Sequence, residues 1–135
     1  MLRLLIVVLV SLKLAASAQA QDNSGAIQGV ISSQIEAFKA DDFATAFSFA
    51  SPMIQGIFRT PDNFGNMVRN GFPMVWRPAD VQFKDLKGTG NLYAQRVLIQ
   101  DAQGVYYLLE YQMIQTENGW EINGVSLLEQ PPVGV

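Results

Sequence analysis

The chain has 135 residues, carries a net charge of −3 and contains neither histidine nor cysteine. A chain of this length holds one domain. The two missing residue types exclude Ser–His and Cys–His nucleophile pairs, the usual zinc sites and disulfide bonds. The acidic balance argues against a nucleic-acid partner or an anionic membrane surface, because no basic cluster is present to neutralise phosphates.

The first twenty residues have the parts of a cleaved secretory signal peptide, residues 1–20. Arg3 supplies the basic start, residues 4–10 begin an apolar run too short to span a bilayer comfortably, and Ala18-Gln19-Ala20 offers small residues at the cleavage site. Cleavage leaves residues 21–135 as a single domain. It has seven basic and twelve acidic residues, so its net charge is −5. Export of a cysteine-free chain indicates the bacterial periplasm, with no membrane attachment after cleavage; a retained anchor is the alternative.

Three helices are predicted over about residues 26–70. Apolar residues recur at helical spacing from Ala26, after Ser24 as N-cap and a frayed polar segment at residues 21–25. This first helix should end near Asp41-Asp42, where helix capping is a simpler role for the paired aspartates than acid–base chemistry.

The second and third predicted helices are shorter. One of the paired aspartates caps the second helix, which ends at Ser51-Pro52 because the residue before proline disfavours helix. Thr60-Pro61 begins the third, and Gly71 ends it. Residues 53–58 have no clear assignment, and residues 72–78 are predicted to be an extended connector into a sheet.

Residues 81–128 predict four consecutive strands, at 81–86, 91–100, 105–115 and 120–128. Each segment is rich in β-branched and aromatic residues, and a glycine-bearing turn follows each of the first three. Helices on one face of such a curved antiparallel meander define an α+β domain. Residues 129–135 are predicted to be an extended, peripheral tail.

The turn at residues 101–104 predicts the register of the two central strands. A three-residue loop closed by a left-handed Gly104 pairs Asp101 with Val105, and Arg96 then lies opposite Glu110 as a structural cross-strand pair. The face carrying Tyr107 and Tyr111 becomes the core side. The opposite face is half apolar, which suggests that a second copy of the chain covers it in a homodimer.

Particular residue blocks resemble known families. The corner at residues 37–43 and the strand start at residues 119–122 resemble the nuclear transport factor 2-like superfamily. More specific blocks, spread over nearly all of the mature chain, resemble a bacterial family, domain of unknown function 4864; they lie at residues 49–55, 60–64, 67–69, 75–78 and 120–124. The resemblance implies a cone-shaped (nuclear transport factor 2-like or cystatin-like) α+β fold, export and a cavity between helices and sheet. It implies no activity.

The residues favour a non-catalytic module that binds a small apolar or anionic ligand or associates with itself. Loops near a cavity mouth commonly hold ligand groups, and Arg77, fixed between Trp76 and Pro78, is placed to meet a carboxylate. The alternative for Arg77 is a surface arginine stacked on Trp76. The candidate ligand-binding residues are Trp76, Arg77, Tyr107, Tyr111 and Met67.

The alternative function is a small-molecule enzyme of isomerase, dehydratase or hydrolase type. It would use a pocket carboxylate with a tyrosine, as Glu110 with Tyr106, or Asp42 with Tyr107 or Tyr111. No catalytic constellation is recognisable, so no catalytic residue is assigned. No metal site and no cofactor are expected, since the only adjacent acidic pair, Asp41-Asp42, is explained by a helix cap.

Overall fold

The structure, a computed structural model, describes the backbone of residues 8–129 and the side chains of residues 23–128. Residues 1–7 of the predicted signal peptide and residues 130–135 of the predicted tail lie outside that range. Helices precede a four-stranded antiparallel sheet of strand order β1-β2-β3-β4, an α+β architecture. The elements are α1 (Val8–Lys39), α2 (Phe43–Ser48), α3 (Pro52–Phe58), α4 (Pro61–Gly71), α5 (Pro73–Trp76), β1 (Asp80–Thr89), β2 (Leu92–Gln100), β3 (Tyr106–Thr116) and β4 (Gly119–Glu129).

Helix α1 begins upstream of the predicted start. Ser24 and the segment expected to be frayed, residues 21–25, lie inside the helix, so both predictions are wrong. Contacts with the sheet explain the difference, because tertiary packing outweighs weak local propensity: Asn23 donates to the Tyr93 hydroxyl at 3.3 Å, and Gln28 donates to Gln95 at 3.4 Å. Signal cleavage remains a prediction, and cleavage after Ala20 would leave these contacts in the domain. No helix in the described range is both long and apolar enough to cross a membrane.

The described chain contains five helices before the sheet, where about three are predicted. The unassigned residues 53–58 belong to α3. Ser51 is expected to end the second helix, but α2 already ends at Ser48. Ser51 instead caps α3 by accepting from the Ile54 amide at 3.4 Å, with Pro52 in the first turn. The prediction that residues 72–78 are an extended connector is also wrong. Residues 73–76 form α5, which its buried Met74 and Val75 hold in place.

Three other predicted helix boundaries are confirmed. Asp42 accepts from the Thr45 amide at 3.1 Å and caps α2, and Thr60 accepts from the Asn63 amide at 3.1 Å and caps α4. Helix α4 ends at Gly71.

The predicted register of β2 and β3 is confirmed. The Asp101 amide donates to the Val105 carbonyl at 2.9 Å, and Gly104 has a φ of 84° in the left-handed region. Arg96 lies opposite Glu110, with Nε 3.5 Å from a carboxylate oxygen. This register places Gln95 and Tyr111 opposite each other, both fully buried beneath the helices.

Irregular strand pairing shapes both edges of the sheet. Strand β1 has a bulge at Lys84-Asp85, and the buried Gln95 amide donates to the Lys84 carbonyl at 2.9 Å and the Asp85 carbonyl at 3.3 Å. Strand β4 has an extra residue at Asn123, whose side chain accepts from the Ser51 hydroxyl at 2.7 Å. The irregularity at Asn123 therefore ties the start of α3 to β4.

A cluster of three side chains holds the end of α1 against α5. Asp41, at a left-handed φ of 53°, accepts from the Trp76 indole at 2.9 Å and from the Arg77 guanidinium at 3.1 Å. Arg77 also donates to the Phe38 carbonyl at 2.8 Å and lies 3.9 Å from the centre of the Trp76 ring. The indole hydrogen bond, followed by the guanidinium, holds the pKa of Asp41 below its usual value of 3.8. We call Asp41, Trp76 and Arg77 the α1 clamp.

Arg77→Ala should lower the free energy of unfolding at neutral pH by about 1–2 kcal/mol, because the Phe38 carbonyl loses a charged donor and Trp76 loses its stacking partner. A lowered folded-state pKa for Asp41 means that its contribution is present above the unfolded value and is lost as the pH falls through the folded value. The effect of Arg77→Ala should therefore shrink below pH 3.8. Denaturant unfolding at several pH values measures this, with Lys87→Ala, at an exposed site, as the control. An Arg77→Ala protein as stable as wild type would contradict the clamp.

Candidate binding cavity

A cavity of about 290 Å³ lies between the helices and the core face of the sheet. It is walled by residues from α1, α3, α4, β3 and β4 together with residues beside α2 and in α5, and almost all of them are apolar. Ile57 of α3 lines the cavity although 62% of its surface is exposed, so it marks the mouth. The wall includes Phe38, Ile54, Phe58, Phe64, Val68 and Ile122.

Phe64 of α4 organises the helical wall. Its ring lies 5.8 Å from Phe38, 5.3 Å from Phe47 and 5.7 Å from Phe58, measured between ring centres. Such tilted and edge-on aromatic pairs are favourable beyond the area they bury. Four aromatic side chains from α1, α2, α3 and α4 thus meet at one point, with Phe38, Phe58 and Phe64 lining the cavity.

Helix α3 covers the cavity without being buried itself. None of its residues is buried, and it supplies Ile54, Ile57 and Phe58 to the wall. Gln55 fixes the helix by donating to the Phe47 and Ala50 carbonyls, each at 3.1 Å. Ile54 and Phe58 pack against the core from one side of α3, while Met53 and Ile57 stay exposed, so the helix lies over the space instead of filling it.

Tyr111 of β3 is the notable polar residue of the wall. Its side chain is fully buried, and its hydroxyl has no hydrogen-bond partner within the part of the chain that the structure describes. Leaving a buried hydroxyl unpaired costs about 1–3 kcal/mol. Burial raises the pKa of Tyr111 well above its ordinary value, so the group stays a neutral hydroxyl.

Gln34 of α1 is the second polar side chain of the wall. It is 2% exposed, and its amide nitrogen donates to the Ala46 carbonyl at 3.1 Å. This bond joins α1 to α2 at the side of the cavity. No charged side chain is among the described residues that line the cavity.

The structure places two of the five predicted ligand-binding residues at the cavity, Met67 and Tyr111. The hydroxyl of Tyr107 instead lies 3.4 Å from an Asp101 carboxylate oxygen, away from the cavity wall. Trp76 and Arg77 belong to the α1 clamp. For Arg77, the geometry is that of the alternative interpretation, an arginine stacked on Trp76 with its donors occupied.

The carboxylate–tyrosine pairs considered for catalysis are not brought together at the cavity. Glu110 faces Arg96 on the opposite side of the sheet, and exposed Asp42 caps α2. Tyr106 is 39% exposed on the face that carries Glu110. Among the described side chains, no three acidic groups come together as metal ligands would.

Sequence reasoning missed most of the wall, including Gln34, Ile54, Phe58 and Phe64 as cavity residues. Gln34 carried a usable signal, because it falls between Ile31 and Phe38 on the apolar stripe of α1, where a polar residue must find a partner. The residues of α3 carried a weak signal, since Ile54, Ile57 and Phe58 recur at helical spacing but within a helix of only seven residues.

Tyr111→Phe should leave the ligand-free protein as stable as wild type or raise its free energy of unfolding by up to about 1 kcal/mol, because the lost hydroxyl is unpaired. Chemical unfolding of protein stripped of bound molecules measures this. Tyr107→Phe, which removes a hydroxyl that lies beside Asp101, is the matched control. A loss of more than about 1 kcal/mol in Tyr111→Phe would show that the hydroxyl has a structural partner.

Comparison with known proteins places the chain in a family. The model of the domain of unknown function DUF4864 matches residues 19–135, which is nearly the whole chain. No curated protein matches it. The match includes every residue of the cavity wall and of the α1 clamp. The chain belongs to the DUF4864 family.

Proposed function

We propose that this domain binds a small apolar molecule in the cavity between α1, α3, α4 and the sheet. The observation that carries the proposal is an apolar space of about 290 Å³ whose wall contains a buried, unpaired hydroxyl, Tyr111. Protein interiors are normally filled to the density of organic crystals, and buried hydroxyls are normally bonded. A bound molecule would satisfy both conditions at once.

The geometry favours binding over the enzyme alternative. General acid–base catalysis needs a carboxylate within hydrogen-bond reach of the reacting group. Glu110 and Asp42 are engaged elsewhere, with Arg96 and with the start of α2 respectively. The wall offers Tyr111 and Gln34, which can orient a ligand by hydrogen bonds.

The fold we propose is the cone of the nuclear transport factor 2-like superfamily. Helices on one face of a four-stranded meander, a bulge in β1 and another in β4 support it. Bulges increase the local twist and bend of a sheet, and a bent sheet leaves room beneath the helices.

Ile57→Trp should weaken binding of the uncharged probe 2-ethylnaphthalene at least about tenfold, because a larger side chain at the mouth obstructs the cavity. Met53→Trp is the matched control, since Met53 lies on the same helix, is 53% exposed and does not line the cavity. Titration followed by tryptophan fluorescence or calorimetry measures both variants. Equal binding to wild type and both variants would place the probe elsewhere. No binding of any two-ring apolar probe to wild type would contradict the proposed function.

We also propose that the sheet face opposite the helices, which we call the outer face, pairs two copies of the chain. Leu92 and Tyr106 there are 56% and 39% exposed. Arg96 and Glu110 lie at its centre with 45% and 24% of their side chains exposed. A two-fold axis through the centre brings Arg96 of each copy near Glu110 of the other, so the face is complementary to itself in charge.

Glu110→Lys should raise the dimer dissociation constant at least about tenfold, because it sets like charges against each other. The double variant Arg96→Glu with Glu110→Lys should restore the dimer. It exchanges the two charges, so positions 96 and 110 again carry opposite charges in each ion pair. Native mass spectrometry of protein recovered from the periplasm of a bacterial host measures assembly. A monomeric wild type would contradict self-association.

The subunit mass in the same experiment tests export with cleavage after Ala20. An uncleaved chain would contradict the predicted signal peptide.

A further inference from the structure

We infer that the ligand is an uncharged, mostly hydrocarbon molecule bearing one oxygen that accepts a hydrogen bond from Tyr111. This inference rests on the proposed binding function and names the chemical class that the cavity takes. It narrows the sequence-based expectation, which left apolar and anionic ligands open.

The oxygen follows from the unpaired hydroxyl. Tyr111 lines the cavity, and no described protein group accepts its proton. Because the same side chain lines the cavity, we place the partner of the hydroxyl there. A carbonyl or hydroxyl oxygen on the ligand would accept that proton, whereas a pure hydrocarbon would leave the hydroxyl unpaired.

The lack of charge follows from the rest of the wall. No lysine or arginine is among the described lining residues, and Arg77 is held in the α1 clamp by Asp41 and the Phe38 carbonyl. An anionic group entering this space would lose its hydration without gaining a counter-charge. Gln34, the other polar side chain of the wall, uses one N–H on the Ala46 carbonyl, and its neutral amide supplies no counter-charge to an anion.

The size follows from the volume. An apolar cavity of about 150 Å³ accepts benzene, and the space here is about 290 Å³. The ligand is therefore about as large as two fused rings or a chain of roughly ten carbons. Larger molecules would have to extend through the mouth at Ile57.

Three probes on one skeleton test the class: 2-acetylnaphthalene, 2-ethylnaphthalene and 2-naphthoate. Wild type should bind the ketone about fivefold more tightly than the hydrocarbon, and bind the carboxylate at least about tenfold more weakly than the ketone. Tyr111→Phe should remove the preference for the ketone and leave the affinity for the hydrocarbon within about twofold. Tyr107→Phe, outside the cavity wall, should retain the wild-type order.

The outcomes separate this inference from the function on which it rests. If the ketone and the hydrocarbon bind equally and Tyr111→Phe changes neither, the hydroxyl does not recognise the ligand, although the cavity still binds apolar molecules. Tightest binding of the carboxylate overturns the uncharged class. Failure of wild type to bind any of the three probes overturns the proposed function and this inference together.

Discussion

The architecture depends on a short parallel contact between the segment before α3 and the edge of β4. The Ile122 amide donates to the Phe49 carbonyl at 2.9 Å, and the Ser51 amide donates to the Ile122 carbonyl at 2.8 Å. These bonds join the helical layer to the sheet, and because Ser51 also caps α3, they fix where α3 begins. The chain is thus tied to the sheet edge just before α3, and α3 then lies over the space between the layers.

Two fully buried polar side chains beneath the helices differ in their hydrogen bonding. Gln95 and Tyr111 face each other across β2 and β3, in the same layer beneath the helices. Gln95 is bonded by Gln28 and donates to carbonyls at the β1 bulge, so it is a structural group of the fold. Tyr111 has the same burial and no described partner. Because Gln95 has hydrogen-bond partners and the Tyr111 hydroxyl has none among the described residues, we assign Gln95 a structural role and Tyr111 a role in ligand binding.

The sheet could be predicted from the sequence because its signals are local. Alternating apolar residues and a left-handed Gly104 determine the register of β2 and β3, and Arg96 therefore meets Glu110. The helices are harder to predict from the sequence than the strands. Helix α2 has six residues, α3 has seven and α5 has only four, and each is too short to produce a clear periodic pattern.

The site could be predicted only in part, because it is made by tertiary contacts. Tyr111 followed from the register, and Met67 from its position in the irregular middle of the chain. Trp76 and Arg77 have side chains suited to ligand binding, but both donate hydrogen bonds to Asp41, which lies in a distant part of the sequence. A left-handed aspartate at a helix end gives no sequence sign of its partner. The wall residues Ile54 and Phe58 depend on where α3 is tied, which is a long-range contact.

A crystal structure of the protein with 2-acetylnaphthalene would test ligand binding in the cavity most directly. The naphthalene rings should lie between Phe64 and the sheet, with the ketone oxygen about 2.7 Å from the Tyr111 hydroxyl. A probe bound on the outer face would contradict ligand binding in the cavity. So would a cavity closed by neighbouring side chains, with the Tyr111 hydroxyl bonded to a protein group.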